Sequence, residues 1–568
     1  MRSIRRLFAI WGGLLATCVL FSSWSPFSRI NKEVVVQNDL ESISAQMSKA
    51  NTTYIIRYEL DLKNTRLDIP EGCTLVFKGG SFRNGIISFN NTVIKSNRSC
   101  IFNDITTELN APIQGKVRID WFSNSENNDY INWANALCVA NTLVFTRNKE
   151  YHFTRNTLGY SIIRRDLRIE GNNATIVLES DYQLKGSDYC ALIYHTRQLT
   201  VKSLNFSILT SMIPNEGCND GRKSIDLFYG EDPVGEEGDD ISAYLENINI
   251  NVKYADSGLG ALYCAKQGKR FVLKKCNLYT KESNSLPGGG SLAWFMFNKA
   301  SDVSILIDGC YAEANGQDEC IAINPSGYIS DDVIIDAIIS DCIFVNKFND
   351  GRGSNSAGLI SMHPNTEQTN VKEGKVFQYN VTIRDCSFKA NGAATNVARF
   401  YAANGIGMNV NCYDTQFIYE GNSPFYINQM QNGIVLLTKD YNPITPCKFS
   451  FKDCLFKGKY ILSCRYQDWE NGEVDFMRCS FLCDSFVGSE EFSQARDLQE
   501  ASFTKCDFHF SSSGIKMGFG SPLFYDCSFY SPSDSLFFTS SSSRVRPVVE
   551  RVKVNGRKVP NIQKVNTN

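Results

Sequence analysis

Thr382-Ile383-Arg384-Asp385-Cys386-Ser387-Phe388-Lys389 is one copy of a phrase that returns along the whole chain. Alternating apolar and polar residues lead to Asp, Lys or Arg, then Cys, then any residue, then Phe, Leu or Tyr. Earlier copies surround Cys276 (VLKKCNLY), Cys310 (ILIDGCYA) and Cys342 (IISDCIFV); later ones surround Cys454 (SFKDCLFK), Cys479 (DFMRCSFL), Cys506 (ASFTKCDFHF) and Cys527 (LFYDCSFY). CYDTQFIY puts Thr415 in the Cys slot. Alternation over so few residues is the mark of a strand. Self-similarity over hundreds of residues means stacked units rather than one globular core.

From Cys276 onward the copies are 34, 32, 44, 29, 39, 25, 27 and 21 residues apart. Paired helices would hold a nearly fixed length, whereas stacked parallel strands tolerate loops of any size between them. The expected fold is therefore all-β: a right-handed parallel β-helix (solenoid) with a short N-terminal capping helix. Its hand follows from the twist that makes parallel crossovers right-handed. The Cys slots would form an inward ladder, with the Phe two positions later on the same face. On this pattern the chain resembles the pectin-lyase-like β-helix proteins, and the resemblance covers most of residues 50–545.

The organisation expected along the chain starts with a signal peptide or lipoprotein signal or anchor at 1–28 and a linker at 29–53. A β-strand module at 54–118 resembles the leading module of β-helix proteins from gut bacteria and their phages. The β-helix proper would occupy 119–545, and 546–568 would be a basic tail with a small hairpin at Asn555-Gly556. Within 117–153, Ile131, Ala134, Leu137 and Cys138 mark one face of a helix near 130–140, with Asn127-Asn128-Asp129 as its cap. That helix resembles the one shielding the first turn of phage-tailspike-like pectate lyases.

Arg2, Arg5 and Arg6 precede the apolar run Leu7 to Phe21, which reads as an export signal. Leu15-Ala16-Thr17-Cys18 resembles a bacterial lipoprotein box, which would acylate Cys18. A signal peptide cut near Ser23 to Ser28 and an uncleaved anchor are the alternatives. The expected location is the bacterial cell envelope, in the outer membrane or periplasm, or outside the cell. The membrane would be met only through this N-terminal signal or anchor.

The chain has 58 basic and 60 acidic residues, a net charge of -2, so nothing favours nucleic acid as a partner. Most of the 20 cysteines read as free buried thiols, because they fill one repeat slot and a thiol is a small hydrophobe. With no CxxC pair, no metal site is expected. The acid-rich run Glu231 to Asp240 reads as a solvated loop, with calcium as the other reading. No cofactor is expected, calcium entering only if the chemistry is a lyase's.

Lining up the strands that follow the Cys strands gives one outer groove with Trp294, Asp318, Glu319, Asn324, His363, Arg399 and Tyr401. Aromatic faces stack on sugar rings, and carboxylates serve as acid and base. The partner expected is a polysaccharide. Asn315 to Gly327 reads NGQDECIAINPSG and resembles the polygalacturonase stretch in which adjacent acids perform inverting hydrolysis. That resemblance implies Asp318 and Glu319 as catalytic acids, joined by His363. Substrate would be held by Trp294, Asn324, Arg399 and Tyr401. The other polygalacturonase motifs are missing, and capping a turn is the alternative role for Asp318 and Glu319. A glycoside hydrolase is placed slightly ahead of a polysaccharide lyase. The alternative to both is a non-catalytic glycan-binding or adhesin-like rod.

Overall fold

The computed structural model describes residues 32–559 apart from 39–41, 155–161, 180–188, 210–223, 231–240, 255–262, 266–267, 283–290, 298–301, 315–318, 326–327, 347–357, 363–369, 391–395, 404–405, 421–433, 440–446, 466–471, 488–500, 512–514, 517–522, 533–537 and 540–547. The chain is an all-β protein of many short strands and few helices, and it divides into two compact units, Met1–Gly115 and Lys116–Asn568. Within each unit the described strands pair in parallel, except at one hairpin near the C-terminal end.

In the second unit each copy of the repeat hydrogen-bonds to the next in fixed register. The Cys carbonyls carry the ladder: Tyr311 N–H donates to Cys276 O (3.2 Å) and Ile343 N–H to Cys310 O (2.9 Å), and Ser387 and Gln416 N–H donate to Cys342 O and Cys386 O (2.9 Å each). The series continues through Thr415, Cys454, Cys479, Cys506 and Cys527, each accepting at 2.9 Å. The slot also extends beyond the cysteines. Ala174 pairs with Leu204, and Leu204 with Ile248, in copies that precede Cys276. At the far end Val552 occupies it, in a copy built from Val548–Glu550 and Lys553–Val554. Every occupant is at most 3% exposed.

The residue before the slot explains the motif. Lys275, Gly309, Asp341, Asp385, Asp414, Asp453, Arg478, Lys505, Asp526 and Arg551 all have φ between 46° and 63°. This left-handed corner turns the chain, and its N–H still bonds the next copy, as from Asp453 to Met477 O (2.9 Å). Asp tolerates the conformation better than most L-residues. The corner also leaves a carbonyl facing the slot, and the thiol takes it. Cys342 and Cys386 Sγ lie 3.0 Å from Ser340 O and Arg384 O. Thr415 makes the same bond with its hydroxyl, 2.7 Å to Tyr413 O, so a small side chain with a donor is what these copies select. Burial is the largest cause that pushes the Cys276 and Cys479 thiols well above their usual range. Thirteen cysteines are buried among the described side chains.

Phe residues two positions after the slot stack face to face. Ring centroids are 5.2 Å apart for Phe417–Phe456, 4.9 Å for Phe456–Phe481, 4.7 Å for Phe481–Phe508 and 4.6 Å for Phe508–Phe529. A second column, Phe451–Phe476–Phe503–Phe524, meets the first edge-on. Outside, Asn205, Asn249 and Asn277 form an amide ladder with 2.8 Å bonds.

Helix Asp129–Val139 starts at Asn128, whose side chain accepts from Tyr130 N–H (3.0 Å). Its buried face differs from the expected one. Tyr130, Trp133, Ala136 and Leu137 are buried, while Ile131, Ala134 and Cys138 are only half-buried. The larger rings decide this: Trp133 packs on Phe145 and Phe153, and Tyr130 on Phe153. Arg165 closes the C-terminal end by donating to the carbonyls of Leu137 (2.6 Å), Cys138 (2.8 Å) and Ala140 (2.9 Å).

The first unit uses the same corner in a shorter repeat. Asn84 and Asp104 have φ of 52° and 50°, and Tyr54 pairs with Leu75 in the adjoining ladder. Gly85 is forced, because a Cβ there would lie 2.6 Å from Leu62 Cβ. At the end of the second unit, Lys553–Val554 turns at Asn555-Gly556 and pairs antiparallel with Arg557–Lys558, as the sequence implies.

Candidate functional site

Strands Tyr189–His195, Ser224–Gly230, Tyr263–Ala265, Ala293–Phe297, Ile321–Pro325, Gly358–Met362 and Asn396–Ala403 form one parallel ladder. Their residues alternate. Ile193, Phe228, Phe295, Ile323 and Phe400 are buried, and Phe228 and Phe295 pack on the core rings Phe206 and Phe271. The alternate positions make a column in strict register: Tyr194 opposite Tyr229, then Cys264, Trp294, Ala322, Ser361 and Arg399. Tyr194 and Tyr229 are half-buried with rings 5.1 Å apart. Trp294 is also half-buried, so rings and polar groups share the outer face of consecutive strands.

Trp294 Nε1 and Ser361 Oγ, both in this column, are buried and lack a hydrogen-bond partner among the described residues. Ser361 is 0% exposed. Between them lies Ala322, whose side chain is one methyl group. Such orphaned donors are uncommon inside proteins, since each forfeits its hydration.

Of the residues expected at the site, Trp294 and Arg399 fall in this column. Asn324 lies two residues beyond Ala322, in register with Met296, and is 2% exposed. Glu319 is half-buried next to Cys320, whose Sγ lies 3.6 Å from Ala312 O. Tyr401 stands two residues after Arg399, in register with Leu437. Asp318, His363, Cys18 and the run Glu231 to Asp240 lie outside the described residues.

The structure adds residues that the sequence pattern passes over. Tyr194 and Tyr229 extend the aromatic face, but the phrase around Cys is absent from their copies, so register alone finds them. Glu313 is 6% exposed and accepts from Thr280 N–H (2.6 Å), Thr280 Oγ1 (3.0 Å) and Tyr311 Oη (2.8 Å). Tyr311 stacks on Tyr279 at 5.1 Å, and burial, then the bond to Glu313, raises its phenol well above the usual range. Where Glu313 stands, the following copies have Val345, Lys389 and Ile418, and that break is a signal readable in the aligned repeats. His195 is a core residue: burial holds its pKa down to about 4, and its Nδ1 lies 2.7 Å from Arg197 O.

Among the described residues no group of three or more His, Cys, Asp or Glu is placed to hold a metal ion. No family model matches the chain, and no curated protein matches it.

Proposed function

We propose that this protein binds a polysaccharide along the outer face that carries Tyr194, Tyr229 and Trp294. The observation that carries the reading is the register that sets these rings on one strand ladder. Tyr194 and Tyr229 stand on adjacent strands and Trp294 two strands further on, and flat apolar rings set at multiples of about 4.8 Å suit a chain of pyranose faces. We further infer that the copies wind as a right-handed parallel β-helix of the pectin-lyase-like kind. Parallel pairing of each copy with the next, through a constant left-handed corner, supports that winding, and the hand follows from the general rule for parallel crossovers.

Hydrolysis is the reaction this reading favours, with Glu319 and its neighbour Asp318 as the acid pair and a lyase as the competing chemistry. The test is a screen of acidic and neutral polysaccharides that records binding, new reducing ends and unsaturated products separately. Binding with reducing ends alone is the expected result. Unsaturated ends would move the chemistry to β-elimination, and binding without turnover would leave a glycan-binding rod. No binding to any polysaccharide overturns the proposal.

A further inference from the structure

We propose that Trp294, Ala322 and Ser361 form a subsite that reads an oxygen-bearing substituent on the glycan, a carboxylate or an acetamido group. This deepens the polysaccharide reading and rests on it. The three residues are in register on adjacent strands, Trp294 opposite Ala322 and Ala322 opposite Ser361. The strands bearing the donors are therefore two ladder spacings apart, about 9–10 Å. The methyl of Ala322, which is 0% exposed like Ser361, separates the indole from the hydroxyl.

The chemistry of the lining names what fits. An indole N–H can only donate, and a serine hydroxyl can donate as well. Both atoms are buried and unpartnered among the described residues. A buried donor recovers its lost hydration only by meeting an acceptor. Sugar hydroxyls are modest acceptors and bring their own protons. An sp² oxygen of a carboxylate or an amide accepts without donating, and it projects from the ring on a short stem. Arg399, next in the column after Ser361, adds positive charge to the same stripe.

A site that requires such a substituent should reject the glycan lacking it, because the buried donors then stay unpaired. Discrimination of this type is much stronger than discrimination by an extra methylene.

The experiment is calorimetric titration of the full chain with two matched pairs of oligosaccharides. Oligogalacturonate is compared with its carboxyl-reduced form, and chitohexaose with cellohexaose. At least tenfold tighter binding of the substituted member is expected in one pair, and the pair concerned tells carboxylate from acetamido. Trp294→Phe removes the N–H together with the five-membered ring of the indole; Ser361→Ala removes only the hydroxyl; Ala322→Val adds two methyl groups between the donors. Each should bring the preference to threefold or less; with Ser361→Ala and Ala322→Val the unsubstituted member binds as before, whereas Trp294→Phe, which also trims a stacking ring, weakens both members. Melting curves like the parent's establish that the variants are folded, and Ser361→Ala, the smallest change, decides the matter if the others fail to fold. Equal binding within both pairs, or a preference that survives all three substitutions, overturns the subsite and leaves the aromatic face standing. Binding of none of the four overturns the polysaccharide reading itself.

Discussion

Two stripes of this molecule treat polar atoms in opposite ways. Along the left-handed corners, polar groups meet counterparts in neighbouring copies. Arg478 holds Asp453 through two bonds of 2.7 and 2.6 Å, Lys202 meets Glu246 at 2.6 Å, and Ser340 donates to Asp308 at 2.7 Å. Along the Trp294–Ser361 column, two buried donors have no partner among the described residues. The corner stripe is satisfied within the chain and serves the fold. The other leaves donors over, the feature on which the proposed subsite rests.

The largest test removes a core ring beside the corners. Phe481 lies between Phe456 and Phe508, with centroids 4.9 and 4.7 Å away. Phe481→Ala should cost about 3–5 kcal/mol by chemical denaturation, because the neighbouring rings cannot close the cavity. A cost below about 1 kcal/mol would mean the stack is not a rigid core.

A sharper test sets one buried hydroxyl from each stripe against the other. Thr415 is 0% exposed and bonded to Tyr413 O; Ser361 is equally buried and unbonded among the described residues. Thr415→Val should cost about 1 kcal/mol, while Ser361→Ala should be neutral or slightly stabilising in the absence of ligand. Equal costs in the same denaturation assay would erase the distinction between the stripes.

The smallest effect concerns charge. Hydrogen bonding from Arg478 holds the Asp453 carboxyl below its usual range. Its folded pKa is then below its unfolded one, so the contribution is present above the ordinary carboxylate range and is lost as pH falls through the lowered value. The pair is largely exposed, so a double-mutant cycle at neutral pH should give the smallest coupling of the three tests. That coupling should vanish in acid and shrink in high salt; persistence in acid would assign it to packing.

Much of the repeat was legible in the sequence because Cys and Phe recur at a fixed offset. The corner was legible only as an odd slot for Asp, Lys or Arg, since left-handed backbone has no unique residue. Copies with Ala174, Leu204, Ile248 or Val552 escaped because an aliphatic side chain fills the slot without the thiol's bond. Trp133 took the helix face from Ile131 and Ala134 through ring contacts that periodicity does not encode. At the site, Trp294 and Arg399 could be aligned by counting from Cys. Tyr194 and Tyr229 could not, because they lie ahead of the first Cys copy and only backbone pairing sets their register.

A parallel ladder has no natural last step, since each copy offers the next an open row of donors and acceptors. The turn at Asn555-Gly556 covers one such row. It folds Arg557–Lys558 back on Lys553–Val554 in the reverse direction, so the chain's own backbone pairs with that strand. An incoming chain meets two cations and a strand of the wrong polarity there. A parallel copy laid against Arg557–Lys558 would have to pair with a strand of the opposite direction.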